Sequence, residues 1–409
     1  MVIADLHIHS KYSRATSKEM DLEHISMFAK FKGINLLGSG DFTHFLWLQE
    51  LKSKLRQADY GIFEFNGINF ILSAEVANIY SYKGKVRKIH NLIIAPDFYV
   101  VDRINKELSK YGSLTSDGRP ILGLEAKNMA EIVFSIDENC LIIPCHIWTP
   151  WFSLFGANSG FDDIEECFGP YAKDIYALET GLSSDPAMNW RISALDRFTL
   201  VSNSDSHSPS KIGREANVFD INMDYLELTA VLKNKDSKKF LYTIEFYPQE
   251  GKYHLDGHRS CNLSFYPEES LKRANICPKC SKPLTIGVMH RVEELSDREP
   301  GFVPEGAVSF KTLIPLEEII AETKGVQAGA KSVSAEYSAL IQRFGPELKI
   351  LVELQESFIR DNFPSKVACG IISVRNGRVK IEPGFDGVYG KIKIFDNNIT
   401  AESRQQELF

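Results

Sequence analysis

No stretch of the 409-residue chain approaches the roughly 20 consecutive apolar residues that cross a bilayer, and Met1 runs straight into VIADLHIHS without a basic leader or cleavage signal. A soluble, cytoplasmic protein is expected. Cysteine is sparse and odd in number, seven residues with one tight C-x-x-C pair, a pattern that argues against a disulfide framework and for metal binding in a reducing compartment. A general excess of positive charge is also lacking. The net charge is −7, so the chain carries no basic coat for nucleic acid. From Lys252 to Val292, however, seven Lys and Arg face three Asp and Glu, which makes this one segment basic. What is plentiful is apolar: a hydrophobic content of 44% over this length supports two or three domains.

The first 205 residues carry seven short apolar runs, VIADLHI, INLLGS, INFILSA, KIHNLIIA, CLIIPCHI, IYALET and FTLVSNS, with helix-compatible stretches at 125–137 and 186–196. Continuous apolar strands interleaved with helices predict a buried parallel sheet, and seven strands fit an α/β barrel better than an open sheet. In ADLHIHS, an extended backbone puts His7 and His9 on one face and Leu6 and Ile8 on the other. Further polar residues fall in or just after the runs: Asp41, Glu75, His90, His146, Asp205 and His207. Chemistry in α/β barrels sits at the C-terminal ends of the strands, and all of these except His90, which precedes its apolar run, obey that rule. Imidazoles and carboxylates together suit zinc, manganese or iron, and one carboxylate can bridge two ions about 3.5–4 Å apart, an arrangement that hydrolyses phosphate esters.

The motifs DLHIHS, GSGDFTH, SAEV, KIHNLII, PCHIW and NSDSHS, in this order over about residues 1–235, resemble the PHP (polymerase and histidinol phosphatase) superfamily of metal-dependent phosphoesterases. The resemblance implies a distorted (β/α)7 barrel. It also implies one ion on His7, His9, Glu75 and Asp205 and a second on Glu75, His90 and His146, with zinc, manganese or magnesium as the metal. A third ion would use His207, with Asp41 as its partner. Where trinuclear members carry a further histidine, this chain reads Ser13-Arg14-Ala15, and its second motif, Gly40-Asp41-Phe42-Thr43-His44, departs from Thr-Asp-His. Two ions are therefore expected before three. His7, His9, Glu75, Asp205 and His207 form the expected catalytic set. Asp5 is expected to orient a ligating imidazole, and His44 reads equally well as a ligand or a loop histidine. Lys11, Arg14, Lys18, Lys211 and Arg214 flank the motifs and are candidate phosphate contacts.

In the second half, His258-Arg-Ser-Cys261 and Cys277-Pro-Lys-Cys280 share the spacing of zinc knuckles and predict a closed structural zinc site, with His254 the alternative fourth ligand. Cys140, Cys145, Cys167 and Cys369 read as packing residues. The basic finger segment, with Arg259 and Lys279, is expected to follow a phosphate backbone. Expected domains are 1–240, 241–312 and 313–409, the last a helical region whose tail turns at Asn376-Gly377 as a hairpin and ends in a β segment. The succession GKYHLDGHRSCN, CPKCSKPLTIGVMHRVEELSDRE and GFDGVYGKI after a PHP domain resembles the endonuclease Q family. That resemblance implies nicking of DNA on the 5′ side of hypoxanthine, uracil, xanthine or an abasic site. Lesion bases would be flipped out, with Trp148 and Trp151 candidate stacking surfaces. Competing readings are a PHP phosphatase for small phosphomonoesters and a non-catalytic DNA-binding adaptor. The terminal Gln405-Gln406 and Leu408-Phe409 only loosely match a sliding-clamp motif.

Overall fold

A computed structural model describes residues 1–395. All seven apolar runs form strands, and successive residues alternate between two apolar clusters. Val2, Ala4, Leu36, Ile71, Leu92 and Ile143 pack into one, and Ile3, Leu37, Phe70, Leu72, Ile93 and Ile142 into the other. Burial on both faces is why the runs are continuously apolar.

Val2–Asp5, Leu36–Gly38 and Ile68–Tyr82 pair in parallel, as do Ala177–Glu179 and Thr199–Val201. Lys85–Ala95 instead runs antiparallel to both Ile68–Tyr82 and Leu141–Pro144, which corrects the expectation of an all-parallel sheet. The cause is local. Lys83 and Gly84 both have positive φ, 49° and 76°, and make the two-residue turn that joins Tyr82 to Lys85. The barrel closes through Ile147 N donating to Glu179 O (3.1 Å), Thr180 N to Val201 O (3.0 Å) and His9 N to Ser206 O (3.0 Å). A distorted barrel of mixed α/β structure results.

Helices Leu22–Lys32, Phe98–Leu108 and Tyr225–Asn234 each start on an aspartate, Asp21, Asp97 or Asp224, whose side chain accepts a backbone N–H of the first turn. The stretch at 125–137 is the helix Ala126–Ile136, whereas 186–196 holds only two short turns, Pro186–Asn189 and Ser193–Leu195.

Strand Phe240–Glu245 pairs with Ala216–Phe219 on one side and Ser309–Thr312 on the other, so the main sheet runs across the expected boundary at 240 and ends at Thr312. The finger is built on the hairpin Asp256–His258 and Leu263–Phe265, knotted by buried Asp256, which accepts from Gly287 N (2.7 Å), His290 Nδ1 (2.6 Å) and Ser270 Oγ. C-terminal helices follow at Leu316–Lys324, Lys331–Phe344, Glu356–Asn362 and Ser365–Arg375. Asn376-Gly377 terminates the last of these, with Gly377 at φ 63°, and is not a hairpin turn. Burial of Val367, Ala368, Ile371 and Ile372 holds that β-branched sequence helical. The terminal β segment is present as Lys380–Glu382 paired with Lys391–Lys393. Gln405 to Phe409 lie outside the described residues. No helix among the described residues is long and apolar enough to cross a membrane.

Candidate metal centre and adjoining cleft

The antiparallel return of Lys85–Ala95 explains the one histidine that broke the strand-end rule. Because the strand runs backwards, its early residues lie at the site end, and His90 pairs with Ala77 close to Glu75. His7 and His9 follow Val2–Asp5 with ring centroids 5.4 Å apart. Ile8 bridges Ser206, which sets the first motif beside the last. Asp41, His146 and Asp205 all adopt positive φ, 46°, 32° and 46°, a conformation uncommon outside glycine. Gly181 permits the turn at His146, since a Cβ there would stand 2.5 Å from the His146 Cβ.

Glu75 is the centre of the arrangement. Its Oε2 lies 3.1 Å from His9 Nε2 and 3.5 Å from His7 Nε2, while its Oε1 lies 2.7 Å from His90 Nδ1 and 3.2 Å from His146 Nε2. Asp205 Oδ1 completes the first cluster, 3.0 Å from His9 Nε2. The donor atoms of His7, His9, Glu75 and Asp205 lie within 4.8 Å of one another, as do those of Glu75, His90 and His146.

A cation fits both clusters on electrostatic grounds. His7 Nδ1 faces Glu179 Oε2 (2.9 Å) and His9 Nδ1 faces Asp41 Oδ1 (3.0 Å), so each ring donates from Nδ1 and turns an Nε2 lone pair toward carboxylate oxygens. His7 Nε2, His9 Nε2 and Asp205 Oδ1 are buried without a hydrogen-bond partner. Lone pairs facing lone pairs in a buried site call for positive charge between them. Burial disfavours charge on both rings, yet Glu179 beside His7 and Asp41 beside His9 hold their pKa values well above the ordinary range. That negative field attracts a proton or a divalent cation. Burial would raise the Glu75 carboxyl, but His90, Arg119 and His7 hold it well below its usual value. Burial drives His90 down to about 4, leaving it neutral and able to ligate.

The other residues expected at the site take the following places. Asp41 Oδ2 accepts from Ser10 N, Ser10 Oγ and Ser13 Oγ while Oδ1 serves His9, so Asp41 stands behind the cluster as support. The His207 ring lies tilted by 48° against the His9 ring, centroids 4.5 Å apart, with Nδ1 near the Asp205 carbonyl. Neither joins a candidate ligand group among the described residues. Asp5 has no hydrogen bond to an imidazole among the described residues; it ties Ser204 N (3.0 Å) and Gly213 N (2.9 Å) beneath the site. His44 stacks on Tyr12.

Arg14 pairs with Asp117, Lys11 with Glu50 and Lys211 with Glu318, and Arg214 donates to the Ser204 carbonyl. Arg259 and Lys279 are exposed. Glu179 and Arg119 were missed from the sequence. A glutamate within the apolar run YALET was the available signal for Glu179, whereas Arg119 lies in a loop with no periodicity to mark it.

A cleft of about 340 Å³ opens beside His90, His146 and Asp205, walled by Trp151, Phe152 and Tyr253 and reaching Tyr389 of the C-terminal segment. Trp148 is instead buried, its Nε1 donating to Asn189 Oδ1 (2.8 Å), and is no stacking surface. In the finger, His258, Cys261, Cys277 and Cys280 converge within 4.8 Å. His254 lies apart, buried against the cleft with its pKa driven down to about 4, and is not the finger's ligand. Cys140, Cys145 and Cys167 are buried as expected, but Cys369 is exposed.

A family model for the MJ0043 C-terminal domain matches residues 315–378. An uncharacterized protein of Bacillus subtilis, YqxK, is 31% identical over 96% of this chain and 99% of its own length. The uncharacterized protein MJ0043 of Methanocaldococcus jannaschii is 35% identical over 60% of this chain, which corresponds to 31% of that longer protein. Among solved structures, the lesion-specific endonuclease PfuEndoQ of Pyrococcus furiosus superposes with a TM-score of 0.88 at 33% identity, covering 100% of this chain and 99% of that one. An endonuclease Q bound to a 27-mer duplex with an abasic lesion at its active site superposes at 0.84, with 34% identity and 97% of each chain covered. With a shared fold and 33% identity along essentially its full length, the chain belongs to the endonuclease Q family.

Proposed function

We propose that this protein is a metal-dependent DNA repair endonuclease that hydrolyses the phosphodiester 5′ to a deaminated base or an abasic site. The observation that carries the proposal is Glu75, whose two oxygens face two separate sets of buried ligands beside an aromatic cleft. The neighbour solved with abasic duplex DNA supports a DNA substrate. His7, His9, Glu75 and Asp205 would hold one divalent ion, and Glu75, His90 and His146 another. Zinc, manganese or magnesium bound there supplies positive charge for a scissile phosphate and acidifies water.

The protein's own groups set the stage for that chemistry. Glu179 and Asp41 fix the tautomers of His7 and His9, and the positive φ of His146 (32°) delivers its ring from a tight turn. Trp151, 40% exposed, meets Tyr253 edge-on at 5.5 Å across the cleft, a surface suited to stacking an extruded base. A lesion that pairs poorly is extruded at lower cost, which favours deaminated and abasic nucleotides. The finger's Arg259 and Lys279 supply exposed charge for the backbone, and His258, Cys261, Cys277 and Cys280 would hold one structural zinc.

The test is metal add-back. Protein stripped by chelation and resupplied with Mg²⁺, Mn²⁺ or Zn²⁺ should nick duplexes carrying hypoxanthine, uracil or an abasic site, and leave an undamaged duplex intact. Release of phosphate from small monoesters with no nicking of any duplex would overturn the proposal in favour of a phosphatase.

A further inference from the structure

Arg119 sits where a cation-binding site has no use for it. Its Nη1 lies 3.0 Å from Glu75 Oε2, within a cluster whose other members are neutral or anionic ligands. A guanidinium has no lone pair for a metal, and its charge opposes one. Yet its position is built. Gly118 N donates to the Tyr12 carbonyl (3.1 Å), Thr43 Oγ1 donates to the Gly118 carbonyl (3.1 Å), and Ala77 N, two residues from Glu75, donates to the Pro120 carbonyl (2.9 Å). Asp117 Oδ1 accepts the Arg119 backbone N–H at 3.2 Å. Gly118 itself is pressed so closely on the site that a Cβ would stand 2.2 Å from Asp41 Oδ2.

Among the described residues, Arg119 is the one Lys or Arg whose side chain touches a member of either cluster, and that side chain keeps 27% exposure. Of the basic residues singled out from the sequence beside the motifs, Lys11, Arg14, Lys211 and Arg214 are engaged elsewhere. We propose that Arg119 is a catalytic residue that leaves Glu75 when ions are bound and donates to the non-bridging oxygens of the phosphate group under attack. A planar fork of N–H donors matches a phosphate and strengthens its hold as negative charge grows in the transition state. No bond to Arg119 forms or breaks. The identity of the phosphate as a lesion-flanking phosphodiester rests on the function proposed above.

Arg119→Ala and Arg119→Lys separate this role from mere support of Glu75. Single-turnover nicking of an abasic duplex by Arg119→Ala should fall by about 100-fold to 1,000-fold. Added guanidinium ion should restore part of it where an equal concentration of sodium chloride does not. Calorimetric Mn²⁺ affinity should be unchanged or tighter, because a competing cation has gone, and Arg119→Lys should fall between the two. A weakened Mn²⁺ affinity with nicking restored at saturating metal would reduce Arg119 to a prop for Glu75 and overturn the proposal, as would unchanged nicking. If wild type nicks no duplex, the endonuclease reading fails and inorganic phosphate becomes the probe. Tenfold weaker phosphate binding to metal-loaded Arg119→Ala would still uphold the role, and equal binding would refute it.

Discussion

Glu179 shows how much of the centre depends on residues that stand behind the two ligand clusters. Its carboxylate takes His7 Nδ1, the His146 backbone N–H (3.0 Å) and Asn203 Nδ2 (2.9 Å), so a single side chain positions a member of each cluster. Glu179→Gln should therefore weaken metal affinity roughly 10- to 100-fold with the fold intact, measurable by calorimetry; unchanged affinity would deny it an orienting role. Glu245, outside the centre, is buried with Thr243 and Thr180 near Asp185, and burial pushes its carboxyl up to about 8 from 4.5. Below 4.5 the group is protonated whether the chain is folded or not. As pH rises toward 8 the unfolded chain releases a proton that the folded chain keeps, so stability is lost across that window. Glu245→Gln should gain on wild type in thermal unfolding between pH 5 and pH 8, by about 2–4 kcal/mol, whereas parallel pH profiles would contradict the assignment. At this scale the sequence was legible where residue types repeat: His7, His9, Glu75, His90, His146 and Asp205 each lie beside an apolar run. Arg119 and the hydrogen bonds of Asp41 were illegible because they depend on which oxygen or nitrogen faces which neighbour.

Turns decide what the elements can do. Lys83-Gly84 reverses the chain with two consecutive positive-φ residues and delivers His90. Asn376-Gly377 carried a hairpin signal and misled, because tertiary burial kept the preceding run helical and made Gly377 a helix terminator. The loop 117–120 offers a direct test. Gly118→Ala should displace either Asp41 and Ser13 or Arg119, since its Cβ would lie 2.2 Å and 2.3 Å from the first two side chains. Nicking should fall at least 10-fold while unfolding stays cooperative, and full activity would show that the loop yields freely. In the finger, Cys277→Ser should abolish the one tightly held zinc detected by metal analysis after exhaustive dialysis; retention of that zinc would place the ion elsewhere.

At the scale of the whole molecule, the barrel, finger and C-terminal helices are joined by buried and ion-paired contacts. Arg291 reaches from the finger to the Phe155 (3.1 Å) and Phe161 (3.2 Å) carbonyls, and Lys211, just after the NSDSHS motif, pairs with Glu318 at 2.7 Å. The buried pair Lys32–Glu347 (2.6 Å) clamps the C-terminal region to the barrel, with Tyr337 and Leu316 N satisfying the same carboxylate. Glu347→Ala would strand a buried lysine, and a loss of about 3–5 kcal/mol is expected in chemical denaturation; a loss below about 1 kcal/mol would mean that water reaches the site. This docking was invisible in the sequence because its partners lie 315 residues apart. The barrel class, by contrast, was legible from seven apolar runs.

The most direct test of the account is the position of the cut on an end-labelled duplex carrying one hypoxanthine, compared between wild type and Asp205→Ala in the presence of Mn²⁺. A single nick on the 5′ side of the lesion by wild type, lost in Asp205→Ala and absent from the undamaged duplex, is the predicted result. Cleavage that ignores the lesion, or that survives loss of Asp205, would contradict a lesion-directed reaction at this centre.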